Sequence, residues 1–336
     1  MKKRLNKAVS MYIKPVLGTI SGKKPIMALT VDKLTLKNKT KFGIARIIKK
    51  RKGNPDIAGF LDKSKLIIVN SKDFLKWKKV KNLKIKNIKK IIKDLSKEDM
   101  TFIGLEDPDI YNQKGIKHLY FTIAFKLKNK KGYKIYLGHA IGKSLNKLIA
   151  TDPLLNPQGK YVRGFKEISI PKIKYSKFIL TEAQLCNNKN CFSVIEEVTD
   201  NYKHHHIVLD PRKMKYNWCK GELSPCCFLP KKFLSYKNLL IGIINGREKS
   251  KKLNKKTYYG KFKPGLILFN PKTGEIPWIS PEPLFEDPDA KTITFASDFV
   301  KTSKTKGILY CHVNDSFVRA YEINKNKLKN LLPKKI

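Results

Sequence analysis

An all-β fold is predicted by three features of the 336-residue chain. Its apolar runs are short and rich in β-branched and aromatic residues, helical periodicity is nearly absent, and small strand-turn units recur along its length. The runs at 65–69, 118–125, 133–141, 239–244, 265–269 and 307–312 are separated by clusters of Gly, Asn, Asp and Pro, the pattern of strands joined by turns. Two stretches break it. Ile88, Ile91, Ile92 and Leu95 fall at helical spacing within 86–95, and a lysine-rich stretch around Leu328 and Leu332 does the same near the C-terminus. Hydrophobic residues make up 41% of the chain and aromatics 10%, too much apolar material for a disordered basic tail and enough for a packed core.

The recurring units suggest how the strands are organised. Leu105-Glu-Asp-Pro-Asp109 recurs as Phe285-Glu-Asp-Pro-Asp289, and Asn70-Ser-Lys-Asp-Phe74 is echoed by Gly142-Lys-Ser-Leu-Asn146 and by Ala296-Ser-Asp-Phe299. The first two Ser-containing turns each follow an apolar run, and Trp77 is placed to pack back on the first. Degenerate units of this kind are what propeller blades write into a sequence, each small sheet burying its faces against its neighbours. A five-bladed β-propeller with short peripheral helices gives about 67 residues per blade, room for four short strands and their loops. The expected layout is an N-terminal extension or propeller start at 1–40, the propeller at 41–323 and a lysine-rich tail at 324–336; a β-sandwich with an appendage is the alternative.

Charge is the most conspicuous feature of the composition and the least specific. Lys and Arg number 72 against 27 Asp and Glu, a net charge of +45, yet only seven of the basic residues are arginine: Arg4, Arg46, Arg51, Arg163, Arg212, Arg247 and Arg319. Nucleic-acid readers favour the guanidinium fork, so an almost all-lysine excess reads mainly as a solvated surface that attracts polyanions non-specifically. The basic N-terminus resembles the start of a secretion signal, but Lys14 and Pro15 interrupt its apolar stretch, and no run of 18 apolar residues predicts a membrane span. The cysteines, Cys186, Cys191, Cys219, Cys226, Cys227 and Cys311, match no tight zinc spacing. A reduced, cytoplasmic chain without a bound metal is expected. His204, His205 and His206 read as a solvated run, because adjacent rings on a strand face opposite sides.

Several motifs together resemble glycoside hydrolase family 130, the five-bladed β-propeller family of β-mannoside phosphorylases and hydrolases. Gly104-Leu-Glu-Asp-Pro-Asp-Ile110 followed by His118-Leu-Tyr-Phe-Thr-Ile-Ala124 resembles its G-[VL]-E-D-P-R-[IV] … Y-Y-[IL]-T-Y-T-A signature. Ser71-Lys-Asp-Phe74, Ala140-Ile-Gly-Lys-Ser144, the 258–271 segment, Pro281-Glu-Pro-Leu-Phe-Glu286 and Ile308-Leu-Tyr-Cys-His-Val-Asn-Asp315 resemble further elements in the family's order, spanning roughly 40–323. The resemblance implies an oligosaccharide ligand, no cofactor, and inorganic phosphate as a co-substrate if bond cleavage is phosphorolytic.

Cleaving a glycosidic bond needs a proton donor for the leaving oxygen and a nucleophile, either activated water or phosphate. By resemblance Asp107 is the general acid, acting through a sugar hydroxyl, with Glu106 beside it in the site. Asp109, Glu286 and Asp315 fall at sugar-contacting positions, and His312 either points into the site or packs. Glu182 or Glu222 would supply the base of a hydrolase, Glu182 being the choice carried forward. The chain departs from the family at two points. Asp109 stands where the pattern has arginine, adding a like charge near the acid. Ile243-Ile-Asn-Gly-Arg247 lacks the histidine of the Y-H-G element that binds phosphate, leaving Arg163, Lys166 and Arg247 as an anion clamp. Three readings follow: a β-mannoside-directed glycosidase or phosphorylase of inverting mechanism, an inactive propeller that binds glycan or protein, and a polyanion-binding protein.

Overall fold

The computed structural model describes residues 5–23, 25–128, 132–155, 161–172, 177–187, 190–199 and 205–335; the side chains at 154–155, 161–164, 186–187, 190–192 and 197 lie outside that description, as do those of Cys186 and Cys191 among them. The runs singled out in the sequence lie on strands, Leu239 alone falling just before Leu240–Arg247, and the 86–95 periodicity forms the helix Ile88–Leu95. Among the described residues most strands fall into five antiparallel groups of four. The first holds Ile26–Val31, Lys41–Lys52, Leu61–Ser71 and Lys78–Asn82; the second Met100–Gln113, Ile116–Leu127, Tyr133–Gly142 and Leu148–Leu155. Tyr161–Ser169, Phe178–Asn187, Asn190–Thr199 and His205–Leu209 form the third, and Glu222–Phe228, Leu240–Arg247, Phe262–Phe269 and Trp278–Ile279 the fourth. The fifth is Thr294–Lys301, Lys306–Val313 and Phe317–Asn324, completed on its outer edge by Val9–Met11 from the other end of the chain.

The middle strands are buried on both faces, as in Leu240–Arg247, where every residue is buried. That is why they read as unbroken apolar runs rather than alternating ones. Core clusters lie between successive groups and close a ring. Ile44, Leu66 and Ile68 meet Leu119, Phe121 and Ile123 between the first two. Tyr120 and Leu137 meet Phe165 and Val194; Leu180 and Ile195 meet Ile244 and Ile267; Ile241 and Leu268 meet Phe299 and Leu309. The last cluster joins fifth to first, Val300, Ile308 and Tyr310 against Leu29, Ile67, Val69 and Trp77. This is a β-propeller, each sheet burying its two faces against its two neighbours. Each fully buried aliphatic side chain in such a seam stabilises it by about 1.5–3 kcal/mol.

The Ser-containing turns after Leu61–Ser71 and Tyr133–Gly142 are equivalent, each leading from the third strand of a group to its fourth. Trp77 packs back into the core, its indole N–H donating to the Phe74 carbonyl at 3.0 Å. The two Glu-Asp-Pro-Asp motifs are not equivalent. The first lies inside the innermost strand Met100–Gln113, whereas the second precedes the innermost strand of the fifth group. Nor is the second a surface turn: Asp287 is fully buried, accepting from Arg319 at 2.7 and 2.6 Å and from the Tyr321 hydroxyl, while Arg319 also donates to Asp289 at 2.8 Å. The C-terminal stretch forms a short helix, Lys325–Lys329, whose Leu328 joins Leu332 in the core beside Val9.

One irregularity recurs in all five groups. The pairing of the innermost strand with the second strand slips between Met27 and Thr30, Glu106 and Asp109, Lys166 and Ile168, Pro225 and Cys227, and Ala296 and Asp298. A bulge bends the strand and re-aims its side chains. In three of them a residue other than glycine takes a left-handed backbone: Ala28 at φ 50°, Asp107 at 45° and Glu167 at 48°. Such a conformation costs about 1–3 kcal/mol and is retained where surrounding structure enforces it.

Replacing Arg319 with Met leaves Asp287 buried without its counter-ion. Urea unfolding is expected to show a loss of about 3–5 kcal/mol, the cost of breaking one side of a buried pair.

Candidate functional site

Three of the bulges, at Met27, at Glu106 and Asp107 and at Lys166 and Glu167, line a cavity of about 220 Å³, and the residues around it come from all five strand groups. Arg46 rises from Lys41–Lys52 of the first group and spreads its fork across the Glu-Asp step of the second. Nη2 donates to Glu106 Oε1 at 2.6 Å and Nη1 to Asp107 Oδ1 at 3.1 Å. Ser64 Oγ adds a second donor to Glu106 Oε1 at 3.1 Å. The approach requires the glycine that opens the motif: a Cβ on Gly104 would sit 2.4 Å from the Ser64 carbonyl oxygen.

The third group contributes Lys166, Glu167 and Glu182, with Lys166 Nζ 3.4 Å from Glu182 Oε1. From the fourth come Glu222 and Arg247, joined at 2.9 Å, the guanidinium lying 3.9 Å from the Phe262 ring centroid and 4.4 Å from that of Tyr259. The fifth supplies His312 and Asp315, with Nε2 and Oδ1 3.3 Å apart and the imidazole stacked on Phe295 at 4.9 Å. Behind them Arg51 holds Asp62 through two bonds of 2.8 and 2.7 Å and donates to the Asp315 carbonyl at 3.2 Å. His312 therefore both packs and faces the cavity, and Asp315 is a turn residue whose carboxylate lines it.

One side of the mouth is roofed by two loops. Ala58 N donates to the Thr257 carbonyl and Tyr259 N to the Asp56 carbonyl, both at 2.9 Å, so the loop after Lys41–Lys52 is tied to the hairpin Lys251–Leu253 and Lys256–Tyr258. Phe60 and Tyr259 reach the cavity from this roof, where Tyr133 fixes the Phe60 carbonyl through a 2.6 Å hydroxyl bond. Rings and carboxylates alternating around a concave site suit a ligand with apolar faces and polar edges.

Burial dominates the electrostatics. It pushes the Glu106 carboxyl up to about 7, opposed by Arg46 and assisted by Asp107. Glu167 is pushed well above the usual range by burial and then by the Asp107 charge, with Lys166 opposing. Asp315 goes the other way: burial would raise it, but the His312 contact and the charges of Arg46 and Arg51 hold it below the ordinary aspartate value.

The structure thus brings together Glu106, Asp107, Lys166, Glu182, Glu222, Arg247, His312 and Asp315. Asp109 and Glu286 do not line this cavity. Asp109 follows its bulge and faces the charges of Asp298 and Lys33, where burial and Asp298 raise its pKa well above the usual value. Glu286 pairs with Lys261 at 2.6 Å and Lys263 at 3.3 Å, which outweigh burial and lower its pKa. The side chain of Arg163 lies outside the described residues, as does His204; His205 stacks on Phe165 at 4.9 Å. Sequence reasoning missed Arg46, Asp62 and Glu167. Arg46 had a signal, being one of seven arginines in a chain that otherwise uses lysine; Glu167 had none, because a bulge leaves no mark in a single sequence.

Solved structures share this architecture. The β-1,2-mannobiose phosphorylase from Listeria innocua, in complex with β-1,2-mannobiose, superposes with a TM-score of 0.69 at 11% identity, covering 96% of this chain and 99% of its own. A glycoside hydrolase of the GH130 family of mannoside phosphorylases, targeting β-1,2 mannosidic linkages in Candida mannan, gives 0.61 at 16% identity with 96% and 91% covered. A mannose phosphorylase from Leishmania mexicana, in complex with a phosphate ion, gives 0.56 at 12% identity with 98% and 92% covered. By sequence, no family model and no curated protein matches the chain. The chain has the GH130-like propeller fold.

Since Arg46 opposes the rise of Glu106, Arg46→Met is expected to move the Glu106 titration upward from about 7, read by carbon-13 NMR of the carboxyl, while Arg46→Lys moves it less. An unchanged midpoint would mean the two groups are not coupled.

Proposed function

We propose that the chain is a carbohydrate-active enzyme that hydrolyses β-mannosides or related oligosaccharides with inversion, the glycan entering the axial cavity and Asp107 acting as general acid. The observation that carries this reading is the juxtaposition, at the propeller axis, of the Glu106-Asp107 pair with further carboxylates on the third and fourth groups. Asp107 delivers a proton through a sugar hydroxyl to the leaving oxygen, and Glu106, titrating near neutrality beside it, keeps a second exchangeable proton on the same turn. Glu182 is the base that activates water, oriented by Lys166; Glu222, oriented by Arg247, is the other carboxylate in reach of the cavity.

Water is favoured over phosphate as nucleophile for two reasons. Arg46, Lys166 and Arg247 each already face a carboxylate, so an incoming anion would have to displace one. The position corresponding to the family's phosphate-binding histidine is Asn245, whose amide is spent inside the core: it donates to the Ala296 carbonyl at 3.0 Å and accepts from Ala296 N at 2.7 Å.

A panel of manno-oligosaccharides and aryl glycosides, with and without phosphate, tests the reading. The expected result is monosaccharide of inverted anomeric configuration by proton NMR, at a rate indifferent to phosphate. Asp107→Asn should lower kcat about 10²–10⁴-fold while leaving the unfolding temperature unchanged. Release of sugar 1-phosphate would overturn hydrolysis, and glycan binding without turnover would replace the enzyme by a binding propeller.

A further inference from the structure

The described residues lining the cavity include seven carboxylates, on Asp62, Glu106, Asp107, Glu167, Glu182, Glu222 and Asp315, but only three permanent cations, on Arg46, Lys166 and Arg247. Six of the seven carboxylates are engaged. Asp62 is held by Arg51, Glu106 and Asp107 share Arg46, Glu182 faces Lys166, Glu222 takes Arg247, and Asp315 meets His312. Glu167 is the exception: among the described residues its carboxylate has neither a hydrogen bond nor an ion pair, although its sequence neighbour Lys166 is in the same cavity. Its place is nevertheless built. The backbone is held in the left-handed region at the bulge, and its peptide carbonyl accepts from Thr181 Oγ1 at 2.9 Å.

Three further polar atoms in the cavity wall make no hydrogen bond to the described residues. They are Thr122 Oγ1, Ser193 Oγ and His312 Nδ1, on residues exposed by only 1%, 2% and 4%. A buried polar group without a partner costs free energy, and a ligand that supplies the partner recovers it. Both hydroxyls can accept a hydrogen bond. A donor is a partner that both hydroxyls and His312 Nδ1 can take, Nδ1 accepting when Nε2–H faces Asp315, and at Glu167 a positive donor would also supply the counter-ion that its carboxylate lacks among the described residues. A neutral sugar would leave Glu167 either charged without a counter-ion or protonated, and an acidic sugar would add to the carboxylate excess.

We propose that the sugar accepted in this cavity carries a free amino group, an amino sugar in its ammonium form, with Glu167 as the residue that receives the ammonium. This rests on the glycoside reading of the cavity and adds its substrate class. Burial and Asp107 favour the protonated Glu167 when no cation is present. An arriving ammonium reverses that preference, so near neutral pH binding of the charged amine expels the Glu167 proton to solvent and the net charge of the complex is unchanged by the exchange.

Isothermal titration calorimetry with mannosamine and glucosamine, each against its N-acetylated form and its parent hexose, reads this without needing turnover. At least one free amine is expected to bind 10-fold or more tighter than both counterparts, and paired runs in buffers of different ionisation enthalpy should show proton release. Glu167→Gln should erase the preference and the proton release, the amine then binding no tighter than its parent hexose; Glu167→Asp should keep part of the preference. A hexose or N-acetyl sugar that binds as tightly as the amine, no binding by any of the six sugars, or a preference that survives Glu167→Gln, each overturns the proposal. Turnover of neutral aryl mannosides alongside any of those results leaves the glycosidase reading standing, whereas failure of the whole glycoside panel with a clear amine preference would sink that reading and spare this one.

Discussion

The Arg46 fork is the contact on which the rest of the site depends. A single guanidinium from the first strand group reaches across the seam to two adjacent carboxylates of the second, at a step where the innermost strand of that group is bulged. A lysine could neutralise either carboxylate but could not hold both in a plane. With the fork in place, the Glu106 and Asp107 carboxyls are anchored at the axis by a side chain that is itself buried. Ser64 and the close approach at Gly104 complete the clamp from behind. Removing the clamp would leave two like charges side by side in a desolvated pocket, the arrangement least able to stay put.

Charge is sorted radially in this molecule. The exterior carries a large lysine excess, exemplified by the strand Lys78–Asn82, in which every residue is exposed, while the axial cavity is lined mainly by carboxylates. Exposed ammonium groups are screened over about 10 Å in ordinary salt, so the surface contributes little to the potential at the buried axis. The few arginines follow a different rule from the lysines. Arg46, Arg51, Arg247 and Arg319 all sit in ion pairs with limited exposure, three of them around the cavity and one anchoring Asp287. In a chain that writes lysine by default, Arg46, Arg51 and Arg319 mark places where two donors of one fork reach carboxylates, whereas Arg247 reaches Glu222 through Nη1 alone and lies against the Phe262 and Tyr259 rings.

Much of the fold was legible because it depends on local composition. Apolar runs such as 239–244 announced buried central strands, the Ser71 and Ser144 turns fell at equivalent corners, and Trp77 packed where the turn before it put it. The ordered motifs likewise located Glu106, Asp107, His312 and Asp315 around one cavity. What was not legible depends on register. A one-residue slip sends Asp107 and Asp109 to different surroundings, the first to Arg46 and the second toward Asp298, though only Pro108 separates them. The same slip turns Glu167 into the cavity. Glu286 and Asp287 carry the same dipeptide as Glu106 and Asp107, but they precede their strand instead of lying in its bulge, so one became a lysine partner and the other a core anchor.

The fifth strand group takes its outer strand, Val9–Met11, from one end of the chain and its other three from the far end. During synthesis Val9 leaves the ribosome some three hundred residues ahead of Ile323, the partner it faces in the finished sheet. At about 5–20 residues per second, that is an interval of roughly 15–60 s in which four groups can form and pack while the ring stays open. The axial cavity, which needs Phe295, His312 and Asp315 from the fifth group, therefore cannot be complete before that group is made. Only when the ring closes are the carboxylates of the earlier groups enclosed by that fifth group.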